Sequence, residues 1–213
     1  MKLLIAIPSL DYMHAEFVKS LLALTRKLRD DGVAFDVDIQ TGTLVYVARD
    51  GLAKRAINEG FTHVLWLDSD MVFTEDLLED LMFSGKDFVT GICHSRRKPF
   101  LSCVFKKMQP TDRYDPDEYP NDTFEIDGCG MACCLVKVDI LRDVCLNNNG
   151  TCYCPLPLYG EDLAFCKRAH DLGYKIYAEP TVRVGHIGHI TIYPEDMKRW
   201  MTEISNAGDF FNV

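Results

Sequence analysis

Thr62-His63-Val64-Leu65-Trp66-Leu67-Asp68-Ser69-Asp70-Met71 carries an apolar run directly into two carboxylates separated by one small residue. Val64 to Leu67 are apolar without a polar break, as in a strand covered on both faces, and helix signals stand before and after it. Asp68 and Asp70 then fall at the carboxyl end of that strand, where open α/β sheets bind ligands. Two carboxylates held this close repel each other and lose hydration, so they need a cation or hydrogen-bond donors beside them. A divalent metal meets that need. A solvated turn capping the next helix is the plainer reading of the same residues.

Outward from this junction the chain alternates strands and helices. Leu3 to Ile7 reads as a short strand ended by Pro8 and Ser9, and Glu16 to Leu28 carries a helical stripe of Phe17, Leu21, Leu24 and Leu28, stopped by Gly32. Val33 to Ile39 alternates apolar and acidic residues like a half-exposed strand, with Thr41 and Gly42 at its end, and Val47 to Ile57 reads as a helix with Gly60 just past it. Beyond Asp70, Thr74 suits a helix cap, with Glu75 and Asp76 in the first turn, where the macrodipole favours negative charge. Phe88 to Cys93 is the next strand. This succession implies a mostly parallel sheet over the first half.

After residue 94 the pattern changes. His94 to Pro99 is polar and basic, Leu101 to Phe105 is strand-like, and Gln109 to Asp122, rich in Pro, Asp and Tyr, reads as a surface loop. Phe124 to Ile126 and Ala132 to Val138 read as strands flanking Asp127-Gly128-Cys129-Gly130, with a short helix from Asp139 to Cys145. Asn147 to Pro157 is turn-rich and expected to be mobile. A helix from Glu161 to Leu172, a strand from Lys175 to Ala178 and a final helix opened by Pro194, with Met197, Trp200, Met201 and Ile204 on one face, complete the chain.

Length and charge narrow the function. The 213 residues suit one domain with a substantial core. A net charge of -9 argues against general binding to nucleic acid or anionic membrane, which requires a broad basic face. No apolar stretch approaches the roughly 20 residues of a membrane span, and Leu3 to Ile7 is too short for a signal-peptide core, so a cytoplasmic protein is expected. Nine cysteines cannot all pair internally. Their spacing lacks two separated Cys-x-x-Cys pairs, which favours reduced core thiols over structural zinc.

Two more loop clusters bear chemistry. Tyr159-Gly160-Glu161-Asp162 sets two carboxylates in the first turn of a helix, where simple dipole compensation is the bland reading. Gly185-His186-Ile187-Gly188-His189 places two imidazoles in a glycine-rich strand end, which suits a metal.

The order Ile5-Ala6-Ile7-Pro8-Ser9, Ala48-Arg49-Asp50-Gly51-Leu52-Ala53, Leu65-Trp66-Leu67-Asp68-Ser69-Asp70-Met71, Gly160-Glu161-Asp162 with Arg168 and Gly173-Tyr174, and Val184-Gly185-His186 resembles the GT-A fold nucleotide-sugar glycosyltransferases. Among them it is most similar to small family-2-like bacterial and phage enzymes. The likeness runs over nearly the whole chain. It departs from the family in having Arg49-Asp50 where Arg-Asn is frequent, and in the Cys-rich stretch from Cys129 to Cys154.

The resemblance implies a three-layer, Rossmann-like α/β/α fold with a mostly parallel, mixed central sheet. It implies one domain over residues 1–213, residues 1–93 forming the nucleotide-sugar half and 94–213 the acceptor and catalytic half. It also implies a UDP- or GDP-sugar donor, a carbohydrate or other hydroxyl acceptor, and transfer that is expected to invert. Manganese or magnesium would be held by Asp68, Asp70 and His186, with His189 as the alternative. Pro8, Ser9, Thr41, Arg49, Asp68, Ser69, Asp70 and Gly128 would face the donor. Asp162 would act as base, with Glu161 as its alternative or as a holder of the acceptor. For Arg49 a salt bridge on a solvated helix, and for Gly128 a plain hairpin turn, remain the structural readings; Arg96, Arg97 and Lys98 either approach phosphate or lie in a solvated loop. Two other functions fit parts of the pattern. One is an inert glycosyltransferase-like nucleotide-binding scaffold; the other is a nucleotidyltransferase, which lacks its Gly-rich basic loop here, since Pro8-Ser9-Leu10-Asp11-Tyr12 follows the first strand.

Overall fold

In a computed structural model, which describes residues 1–109 and 111–188, the apolar junction at Val64 to Leu67 lies inside the central sheet. The elements in chain order are β1 (Lys2–Pro8), α1 (Ala15–Asp30), β2 (Ala34–Gln40), α2 (Val45–Asn58), β3 (His63–Leu67), β4 (Met71–Phe73), α3 (Leu77–Phe83) and β5 (Phe88–Gly91). They continue as β6 (Val104–Phe105), β7 (Phe124–Ile126), β8 (Gly128–Cys129), β9 (Cys133–Lys137), α4 (Val138–Asn147), α5 (Glu161–Asp171), β10 (Ile176–Glu179) and β11 (Val184–His186). The helix expected after Pro194 and the imidazole of His189 lie outside the described residues.

Seven strands form the main sheet in the order β2-β1-β3-β9-β5-β10-β7. The pairs β2/β1, β1/β3 and β5/β10 are parallel, whereas β9 runs antiparallel to both β3 and β5, and β7 antiparallel to β10. The sheet is therefore mixed, with three parallel and three antiparallel pairs and five of its seven strands running in one direction, and strands from either side of residue 94 are interleaved within it.

The period-2 alternation of strand side chains explains the layers. Leu4, Ala6, Val64 and Trp66 point to one face, where they meet Leu52, Ala53 and Ala56 of α2, Ile140 and Leu141 of α4, and Phe165 of α5. Leu3, Ile5, Ile7, Leu65 and Leu67 point to the other, against Phe17 and Leu24 of α1 and Leu77 and Leu81 of α3. Helices thus cover both faces, which is why the central strands carry no polar alternation.

Three local readings change. A short strand, β4, forms directly after Asp70, and α3 starts at Leu77 with Asp76 rather than Thr74 at its cap position. Met71 and Phe73 are both buried, so the chain extends under α1 before it coils. The stretch expected to be mobile is anchored instead: Cys152 and Tyr153 are fully buried, and Tyr153 stacks on Phe165 with ring centroids 4.6 Å apart. Six of the nine thiols are buried, all nine are reduced, and burial pushes those of Cys93, Cys133 and Cys152 well up, which keeps them protonated and poor ligands for a metal. None of the described helices is long and apolar enough to cross a membrane.

Candidate active site

A cleft of about 640 Å³ opens at the carboxyl ends of β1 and β3. That volume is within the roughly 300–1,000 Å³ range of small-molecule sites. Its walls include Pro8 and Ser9 from the end of β1, Asp68, Ser69 and Asp70 from the end of β3, and Arg96 and Arg97 from the loop after β5. Here five of the residues expected at the donor come together. Ser9 is held in place by its amide, which donates to the Gln40 carbonyl at 2.9 Å, so the end of β1 is fixed by β2.

Thr41 does not reach the cleft. Gly42, at φ +73°, turns the chain after β2, and the wall is built instead by Thr43, Leu44, Val45 and Ala48. Residues 44 to 48 open α2, whose first turn has no acidic side chain and no side-chain cap. The positive end of its macrodipole therefore meets the cleft uncompensated, a setting that favours negative charge nearby. The sequence reading began this helix two residues too late to see it. Tyr12 and His14 also line the cleft, and no spacing signal in the sequence singles them out.

Asp70 and His186 meet because β11 pairs antiparallel with β4, with His186 opposite Met71, and because the Ile187 amide donates to the Asp70 carbonyl at 2.8 Å. His186 Nε2 lies 3.3 Å from Asp70 Oδ2, while its Nδ1 is 2.9 Å from the His94 carbonyl. That second contact fixes the ring and leaves Nε2 as the nitrogen facing the carboxylate. The bond to Asp70 raises the His186 pKa against the opposing effect of burial. Burial alone would raise that of Asp70, but His186 and Arg96 outweigh it and hold the carboxyl below its ordinary value. Arg96 forms an ion pair with the same Oδ2. Gly188 passes so close to this loop that a Cβ there would lie 3.0 Å from the Arg96 carbonyl oxygen.

Asp68 faces the other way. Its Oδ1 accepts from Arg49 Nη2 at 2.9 Å, so among the described residues no three acidic, His or Cys side chains converge as a metal cage. The residues fit a cation in a narrower sense. The Asp70 carboxylate and the His186 imidazole offer one oxygen and one nitrogen ligand, which would suit a manganese or magnesium ion in place of their present contact with each other and of Arg96 on Asp70.

Arg49 is the largest departure from expectation. It is only 1% exposed, its guanidinium lies over the Trp66 ring at 5.7 Å, and Nη1 reaches the Met131 carbonyl at 3.4 Å. It is therefore not on a solvated helix face, and it is not among the residues that wall the cleft. Its Nε stands 3.5 Å from Asp162 Oδ1, so the guanidinium contacts both Asp68 and Asp162. Burial lowers its pKa, and the charges of Asp68 and Asp162 more than reverse that, so it stays a cation.

Asp162 sits in the first turn of α5, as the sequence indicated. Its Oδ1 is buried and makes no hydrogen bond, although 29% of the side chain is exposed. Burial, aided by Glu161 and Asp68 and opposed by Arg49 and the Met131 amide, pushes its pKa up to about 7. The helix N-terminus does not keep this group strongly acidic, because desolvation is the larger effect. Glu161 beside it makes no hydrogen bond or salt bridge among the described residues.

Gly128 belongs to the packing of β8 and not to the cleft. A Cβ there would lie 2.8 Å from Leu163 Cδ2, so the glycine lets α5 approach the strand. Gly130 is the glycine near the chemistry, where a Cβ would lie 3.7 Å from Asp162 Oδ2.

Asp50, where the resembling enzymes often have Asn, accepts the backbone amides of Cys152 and Tyr153 at 2.6 and 2.8 Å. This is the tether of the Cys-rich stretch. Replacing Asp50 by Ala should lower unfolding stability by about 2 to 3 kcal/mol, as two amides lose a charged acceptor. Asp50→Asn, which keeps one acceptor oxygen, should cost clearly less in the same denaturant titration.

No family model matches the chain. A Candida albicans protein described as mannan polymerase complex subunit MNN9 is 26% identical over 205 residues, covering 77% of this chain and 54% of its own. The Schizosaccharomyces pombe protein of the same description is 26% identical over 174 residues, covering 65% of this chain and 50% of its own. The chain thus spans about half the length of these curated relatives. Among solved structures, A197 from STIV superposes with a TM-score of 0.60 at 20% identity, over 89% of this chain and 87% of that one. A Drosophila beta-1,4-galactosyltransferase 7 mutant, in complex with manganese, UDP-Gal and xylobiose, superposes with a TM-score of 0.50 at 15% identity, over 93% of this chain and 80% of its own. With the seven-stranded mixed sheet and the helices on both its faces, the match to the galactosyltransferase shows that the chain has the GT-A fold.

Proposed function

We propose that the protein is a metal-dependent glycosyltransferase that moves a sugar from a nucleoside-diphosphate donor to an acceptor hydroxyl with inversion. One observation carries the reading: a GT-A cleft brings the Asp70/His186 pair to its edge, and a carboxyl with an elevated pKa, Asp162, shares Arg49 with Asp68.

Negative charge builds on the diphosphate as it leaves the anomeric carbon. A divalent cation, held by Asp70 and His186, would supply neutralising charge there. Arg96 and Arg97 line the same wall and can add charge-assisted hydrogen bonds to phosphate. Pro8, Ser9 and residues 43–45 enclose the nucleoside end, and the first turn of α2 favours its polar oxygens. Asp162 takes the acceptor's proton as the new bond forms, and Glu161 holds an acceptor hydroxyl. A carboxyl titrating near neutrality suits a general base, which must be ionised yet still basic.

The galactosyltransferase neighbour is described with UDP-Gal and a xylobiose acceptor, and the curated relatives with mannan. Both descriptions support a nucleotide-sugar donor and a carbohydrate acceptor, and they make UDP- and GDP-sugars the panel to test. UDP or GDP with manganese, at 100 times its dissociation constant, should add about 2.7 kcal/mol of apparent stability. Release of nucleoside diphosphate from a matching donor and a glycan acceptor should follow. Binding without release by any pair would favour an inert nucleotide-binding subunit, and no stabilisation by either nucleotide would refute both readings.

A further inference from the structure

Resting on that function, we propose that Arg49 is a positioning residue that joins the donor and acceptor sides of the site: its guanidinium pairs through Nη2 with Asp68 and through Nε with Asp162, and it touches neither substrate.

The burial of Arg49 needs an explanation. Removing a guanidinium from water is costly unless anionic and hydrogen-bonding partners replace the solvent. Here the partners are two carboxylates from distant parts of the chain, one at the end of β3 and one at the start of α5. The remaining surroundings are the Trp66 ring and the Met131 carbonyl, and neither is a ligand-facing group. Two carboxylates at this spacing would otherwise repel each other, and the intervening cation turns that repulsion into a shared attraction.

The arrangement also depends on the planar fork of arginine. Nη2 donates to Asp68 while Nε faces Asp162, so one rigid group fixes the two acids relative to each other. The Arg49 to Asp162 contact is long at 3.5 Å, and both Nε and Oδ1 are buried without a hydrogen bond. Unsatisfied buried polar atoms of this kind mark sites where function is favoured over stability. Asp162 is thereby steered by the charge of Arg49, while its hydrogen bond comes from the Met131 amide. Asp68, tied to the same group, cannot shift towards the donor without moving the base. Loading of the donor edge is therefore sensed at the acceptor edge.

The test is a cycle of Arg49→Gln, Asp162→Asn and the double variant, with Arg49→Lys alongside. UDP or GDP binding with manganese, steady-state transfer and thermal unfolding are measured on each. Arg49→Gln should lower kcat by about 10²-fold, the effect of a small misplacement of reacting groups, while nucleotide affinity changes less than about tenfold. In the Asp162→Asn background the same change should add little further loss of kcat, because the two residues act as a unit. The melting temperature of the double variant should fall by less than the sum of the single losses. Arg49→Lys keeps the charge but loses the fork, so it should regain most of the thermal stability and only part of the turnover. A rise of about 30-fold or more in the nucleotide dissociation constant with kcat unchanged would mean that Arg49 contacts the donor, and would overturn the proposal. Full turnover in Arg49→Lys, or strictly additive melting losses, would overturn it too. Should Arg49→Gln fail to fold, the Lys variant and the double variant decide. If the unmodified protein binds no nucleotide and transfers no sugar, the glycosyltransferase reading fails, whereas the melting cycle, which needs no ligand, still tests the bridge.

Discussion

Replacing Asp162 by Asn is expected to lower the rate of transfer by about 10² to 10⁴, the usual contribution of a positioned general base, with nucleotide affinity nearly unchanged. The separation follows from geometry. Asp162 contacts Arg49, which separately holds Asp68, and it is not among the residues that wall the cleft. Equal loss of turnover and of nucleotide binding in calorimetry would remove it from the role of base. The pH profile supplies a second check. Because burial pushes this carboxyl up to about 7, kcat/KM should rise with pH through that value as the base ionises, and the acid limb should vanish in Asp162→Asn. Stability should change in the opposite sense. A carboxyl whose pKa is raised in the folded state holds its proton where the unfolded chain has already released it. Its stabilising contribution is full below the ordinary carboxylate range and is lost as pH rises through about 7. Thermal unfolding of Asp162→Asn over that window should lack this part of the slope.

Asp70→Ala is expected to abolish manganese-dependent stabilisation by nucleoside diphosphate. At a ligand concentration of 100 times the original dissociation constant, the whole effect of about 2.7 kcal/mol should disappear. Asp70 is the carboxylate that faces His186, whereas Asp68 is engaged by Arg49, so the two acids are not interchangeable. His186→Ala should weaken the same stabilisation without eliminating it, since the carboxylate remains. The measurement is a melting series with nucleotide alone, manganese alone and both. Undiminished stabilisation by the pair in Asp70→Ala would show that the cation is held elsewhere, and would remove the main support for a metal at this edge.

Much of this was legible in the residue order. The unbroken apolar run of Val64 to Leu67 identified a strand buried on both faces, and that alone placed Asp68 and Asp70 at the carboxyl edge of the sheet. The stripe of Phe17, Leu24 and Leu28 and the acidic first turn at Glu161 marked two helices close to their observed bounds. Other parts misled for definable reasons. Asn147 to Pro157 has the composition of a mobile loop, yet composition does not reveal that a carboxylate about one hundred residues away, Asp50, will accept two of its amides. Gly128 and Gly130 look alike in sequence, and only the approach of α5 shows that one serves packing and the other lies beside Asp162. For Arg49 the sequence offers a donor contact or a salt bridge on a solvated helix; it makes salt bridges, but while buried, because its two carboxylate partners come from distant segments that local sequence does not reveal.

Periodicity, turn residues and helix signals thus determined the α/β character of the chain, the central strand and the positions of its acids, because these depend on neighbours within a few residues. Non-local pairing decided the rest. The antiparallel insertion of β9 between β3 and β5, the docking of β11 on β4 that brings His186 to Asp70, and the inward turn of Arg49 between two carboxylates all join segments far apart in sequence. An apolar pattern tells which side of a strand must be buried; it does not tell which strand will lie next to it, and it is that choice that assembles the site.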